Sequence, residues 1–124
     1  MQYLLLIYQA ELPAGVEPDP AETTEVLKAY NVFTQETRDR GQFVAGEALD
    51  STATATSVRV RDGRTVVTDG PFAETKEALG GFYLLECRDL DEAIEMAAKI
   101  PAAQRGTIEV RPIWDYGTGT RAEG

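Results

Sequence analysis

The segment Asp69-Gly70-Pro71-Phe72-Ala73-Glu74-Thr75-Lys76-Glu77 places four ionisable side chains within nine residues, beside an aromatic ring and a Gly-Pro bend. Carboxylates next to an ammonium are the groups of acid–base chemistry on a small molecule. Asp69 and Glu74 are the candidate acid and base. A carboxylate held against Phe72 would lose hydration, which raises its pKa toward the range where it exchanges protons. Lys76 would pair with a carboxylate or steer an anion. If residues 73–77 make a helical turn, Glu74 and Glu77 share a face and Lys76 is offset. The same residue types also explain a plain turn, with Gly70 supplying backbone freedom and Pro71 fixing the bend. Both readings stay open on residue types alone.

Other side chains extend the candidate set. Tyr8, at the end of a predicted strand, either orients a ligand through its phenol or packs with a wet hydroxyl. Glu47 and Arg111 are charges on predicted strands, lining a polar cavity or facing solvent. With Phe72, Lys76 and Glu77 they form the candidate ligand-binding group. Trp114 and Cys87 read as packing residues. Asp69, Glu74 and Glu77 lack calcium-loop spacing and have no imidazole beside them, so no metal and no cofactor are expected.

Composition narrows the field. The chain of 124 residues has no histidine, which removes imidazole as base or ligand. A net charge of −9 repels phosphates, so direct nucleic-acid binding is not expected. One cysteine cannot form an internal disulfide. The run Leu4-Leu5-Leu6-Ile7 lacks a basic flank and a cleavage site, and nothing approaches the roughly 20 apolar residues of a membrane span. A cytoplasmic protein without membrane partners is expected.

The elements that must position these residues follow from periodicity. Residues 2–8 predict a strand apolar on both faces: Tyr3, Leu5 and Ile7 on one, Leu4, Leu6 and Tyr8 on the other. Asp19-Pro20 with Glu22 starts a helix whose stripe is Val26, Leu27, Tyr30, Phe33, Thr34 and Thr37, stopped by Gly41. Residues 43–49 predict a second strand, and 50–57 a polar connection. Asp62-Gly63 predicts a two-residue hairpin between 57–61 and 64–68, with Val58 opposite Val67. Residues 69–79 read as loop or short helical turn, and 82–87 as a strand opened by Gly80-Gly81. Asp89 with Glu92 starts a helix with the stripe Leu90, Ala93, Ile94 and Ala97, and residues 107–113 close the set as a strand.

The order is a ferredoxin-like α+β fold, βαββαβ with an inserted β-hairpin, in one domain over residues 1–116. Residues 117–124 read as a disordered tail. Two helices cover one face of such a sheet, and the other face still carries apolar residues. A homodimer packed sheet to sheet is therefore expected.

Tyr3-Leu4-Leu5-Leu6-Ile7-Tyr8, Val44-Ala45-Gly46-Glu47, the Asp69–Glu77 segment, Gly80-Gly81-Phe82 and Ile108-Glu109-Val110-Arg111-Pro112 together resemble the YCII-related, DGPF-domain proteins over about residues 2–114. The resemblance implies a dimeric α+β barrel, bacterial origin and, by gene neighbourhood or fusion, association with extracytoplasmic-function sigma factors. It also implies a His–Asp pair in a cleft. The histidine would fall near Ala29 or Tyr30, and this sequence has none to place there. Three readings follow: a small-molecule enzyme using Asp69 and Glu74, a non-catalytic ligand-binding or regulatory module working with a sigma factor, or a structural loop closing the hairpin over a dimer seam.

Overall fold

A computed structural model describes residues 1–13, 15–71, 73 and 75–114. β1 (Gln2–Gln9) lies inside a four-stranded antiparallel sheet. Tyr3, Leu5 and Ile7 are buried on one side, while Leu4, Leu6 and Tyr8 are half-buried on the other. β5 (Ala78–Glu86) pairs along one edge of β1 and β6 (Thr107–Pro112) along the other. β2 (Phe43–Ala48) pairs beyond β5, giving the order β2-β5-β1-β6. With α1 (Pro20–Asp39) and α2 (Leu90–Lys99) as the two crossovers, this is the expected ferredoxin-like fold. β3 (Thr56–Arg61) and β4 (Arg64–Asp69) pair only with each other, and Val58 lies opposite Val67 as predicted.

Both helices begin on aspartate caps. The Asp19 carboxylate accepts the Ala21 N–H at 3.0 Å, and Pro20 opens α1. The Asp89 carboxylate accepts the Glu92 N–H at 2.9 Å, while Glu92 reaches back to the Arg88 N–H at 3.1 Å. Both helices pack on the Tyr3–Leu5–Ile7 side, where Phe33, Tyr83, Leu85, Met96 and Ile100 complete one core.

Two expectations are corrected. α2 buries Ala93, Met96 and Ala97 with Ile100 just beyond, whereas Leu90 and Ile94 are about half exposed (49% and 51%). Ile94 sits one residue, about 100°, around the helix from Ala93, so it faces the flank. In α1, Phe33 and Thr37 are buried but Val26 and Leu27 are exposed. A 20-residue helix is about 30 Å long and a six-residue strand about 20 Å, so the first turns of α1 outrun β2. Residues 71, 73 and 75–77 take the loop alternative read for 69–79 and form no helical turn, and Thr52–Thr54 makes a 3-10 turn in the polar connection. The tail at 117–124 lies outside the described residues. No described helix is long and apolar enough to cross a membrane.

Two outcomes test this packing. Met96→Ala, at a fully buried position, should lower the unfolding free energy by about 2–5 kcal/mol, and Ile94→Ala by less than about 0.5, in urea titrations. The carboxylate of Glu92 is held below its ordinary pKa by the Arg88 N–H, and that of Glu36 by Lys99. A depressed folded pKa contributes stability that is complete above the ordinary value of 4.5 and is lost as pH falls through the folded value. Melting temperature should therefore fall with pH below that point, and Glu92→Gln should flatten the slope.

Candidate functional site

The helix-facing side of the sheet carries rows of residues set by register. One row runs Gly46–Tyr83–Leu5–Val110 and the next Ala48–Gly81–Ile7–Ile108. Glycine stands in these rows at 46 and 81, where neighbouring groups come too close for a side chain. The close approach at each position requires it: a Cβ on Gly46 would come within 2.9 Å of the Tyr83 ring, and one on Gly81 within 2.8 Å of the Glu47 carbonyl. A cleft of about 410 Å³ lies between α1, β2 and the start of β5.

Aromatic rings wall this cleft. Tyr83 and Phe33 pack edge to face with centroids 4.9 Å apart, and the Phe43 centroid lies 6.4 Å from that of Tyr83. The Arg38 guanidinium stacks 4.2 Å over the Phe43 ring. The Tyr83 and Thr34 hydroxyls share a hydrogen bond of 2.8 Å at the cleft. Asn31, Tyr30 and Gln9 add further polar atoms. An apolar pocket of this size with a few convergent polar groups is the form of a small-molecule site.

A second cleft, of about 540 Å³, lies where Pro71, Ala73, Thr75, Ala78 and Leu79 meet Tyr8 and the Thr52 turn. An adjoining depression brings Lys76 and Glu11 to the rim. Glu11 accepts both the N–H (3.0 Å) and the hydroxyl of Thr52, which holds its carboxylate below the usual range. This carboxylate ties one loop to another.

The predicted site residues are divided among these surfaces. Tyr8 and Lys76 reach the second cleft or its rim, and Glu47 edges the first. Glu77 accepts the Thr107 hydroxyl at 2.9 Å and so fastens the start of β5 to β6. Arg111 pairs with Glu109 on the sheet face away from the helices. Asp69 ends β4 on the separate hairpin, exposed, with no hydrogen bond or ion pair from its side chain among the described residues. Phe72 and Glu74 lie outside the described residues. The described structure therefore does not gather Asp69 with Tyr8, Glu47 and Arg111. Tyr30, Asn31, Thr34, Arg38 and Tyr83 were not singled out as site residues from the sequence. The usable signal was glycine at 46, 80 and 81 inside apolar strands.

The YCII-related domain matches residues 1–116 of the chain. The chain belongs to the YCII-related family. It is similar to an uncharacterized protein of Rhizobium meliloti (strain 1021), 36% identical over 121 residues, which covers 96% of this chain and 97% of that one. In this YCII-related chain, Tyr30 stands at one of the two positions where the resemblance places a histidine, and it lines the first cleft. Burial pushes its phenol pKa up, and the backbone of Ala102 already holds its hydroxyl, so Tyr30 supplies no base near pH 7.

Gly46→Ala should displace the Tyr83 ring and lower stability by about 1–3 kcal/mol, with loss of the Thr34–Tyr83 contact visible in NMR spectra. An unchanged Tyr83 environment would mean that the sheet yields at position 46 instead.

Proposed function

We propose that this YCII-related chain is a ligand-binding subunit of a homodimer, holding a small aromatic molecule with one polar group in the cleft between α1 and β2. The observation that carries the reading is the cleft bordered by Gly46 and Gly81, walled by Tyr83 and Phe43 and supplied with the Thr34–Tyr83 hydroxyl pair. A ring would fill the cleft, and its polar group would meet Thr34, Asn31 or Arg38. Binding alone is favoured over acid–base catalysis. Among the described residues, Glu11, Glu36 and Glu92 have their carboxylate pKa moved down by hydrogen bonds, which keeps them ionised and in structural ties.

The dimer is supported by the other sheet face. There the rows run Ala45–Leu84–Leu4–Arg111 and Glu47–Phe82–Leu6–Glu109. An apolar centre of Leu4, Leu6, Phe82 and Leu84 is rimmed by charge, the pattern of an interface patch. Each leucine fully taken from water adds roughly 1.5–3 kcal/mol.

NMR screening with a library of small phenols and aromatic acids should shift Thr34, Gly81 and Tyr83 signals. Leu27→Trp, at an exposed position on the cleft rim, should abolish those shifts, and Asp69→Asn should leave them intact. The reverse pattern would return the site to the Asp69 loop. Sedimentation equilibrium at micromolar concentration should give a dimer mass; a monomer would remove the subunit reading.

A further inference from the structure

We propose that the cleft between α1 and β2 selects an aromatic carboxylate, and that Arg38 is the residue that reads the acid group. This rests on the small-molecule reading above and names its ligand class. Leu27, Tyr30, Asn31, Thr34 and Arg38 all line the cleft. Their positions, at i, i+3, i+4, i+7 and i+11, make one face of α1. That face changes character along its length. Leu27 is apolar, Thr34 carries a hydroxyl, and Arg38 brings a cation about 6 Å further along the axis.

The charge of the cleft is one-sided. Among the described residues that line it, Arg38 is the one cation and Glu47 the one acidic residue. Glu47 follows Gly46, whose row faces the helices, so the Glu47 side chain points to the opposite face of the sheet. Arg38 itself is not neutralised. Nearby, Arg40 and Lys99 pair with Glu36, and Arg40 also pairs with Glu95. The chain has 21 acidic residues against 12 basic ones, yet among the described residues no carboxylate pairs with Arg38 and no acceptor takes its N–H groups. The Phe43 ring, its centroid 4.2 Å from the guanidinium carbon, holds the ion in place and leaves those donors unused. A guanidinium fork so placed matches a carboxylate through two parallel N–H···O bonds.

The hydroxyl pair also calls for an acceptor. Thr34 and Tyr83 hold two hydroxyl protons, and the bond between them uses one. The other is left for an oxygen of the ligand. Burial sets the orientation: Arg38 is exposed, Thr34 half-buried and Tyr83 buried. The carboxylate therefore sits at the mouth on Arg38, where it keeps part of its hydration, and the ring reaches inward to Tyr83.

NMR titration of the full chain would compare benzoate with benzamide, a neutral probe of the same shape, through the Thr34, Gly81 and Tyr83 signals. Benzoate should bind about tenfold more tightly or better, as a charge-assisted contact gives. Added salt should weaken benzoate and leave benzamide unchanged. Arg38→Gln should remove both the preference and the salt dependence. Arg38→Lys should keep the salt dependence and lose part of the preference. Equal binding of the two probes by the wild type, or a preference that survives in Arg38→Gln as it would if Arg38 merely covered Phe43, would overturn the assignment and leave the cleft reading standing. The wild-type comparison decides even if a variant fails to fold. Failure of both probes to shift these signals would overturn both.

Discussion

The structure depends on one constraint: a sheet apolar on both faces carries helices on only one. Tyr3, Leu5 and Ile7 meet Phe33, Met96 and Ile100, which closes the core. Leu4, Leu6, Phe82 and Leu84 remain half-buried on the other side. Because β1 lies inside the sheet, its two alternating sets cannot both be satisfied within one chain of this topology. The uncovered side and the isolated hairpin are two expressions of the same shortage of internal cover.

On the helix side, the chain gives up packing at selected points. Gly46 and Gly81 remove side chains below a helix that outruns the strand beneath it. Tyr83 drapes over the first glycine and is held by Thr34 and Phe33. The cleft borders the close approaches that only glycine permits. Charged residues mostly serve elsewhere: Glu36 links α1 to α2 through Lys99, Glu92 ties Arg88 to the first turn of α2, and Glu77 and Glu11 fasten loops.

Much of the fold was legible because local signals agreed with the global order. Asp19-Pro20 and Asp89 marked both helix starts, and Asp62-Gly63 fixed the hairpin register to the residue. The helix stripes were less legible, because periodicity gives neither where the sheet ends below a helix, which exposes Val26 and Leu27, nor which edge of the arc faces the flank, which exposes Ile94. The candidate site was least legible. Ionisable residues clustered in sequence drew attention to Asp69, which ends the separate β3–β4 hairpin and is exposed. The cleft is formed by glycines and hydroxyls from α1, β2 and β5, which converge only after the sheet is assembled.

The central claim is that the second face of the sheet is covered in solution. The most direct measurement is the relaxation enhancement of the Leu4, Leu6 and Leu84 methyl signals by a soluble paramagnetic agent. A covered face predicts enhancements as small as those of the core methyls of Leu5 and Leu85. Enhancements as large as those of exposed Val32 or Leu49 would contradict the account.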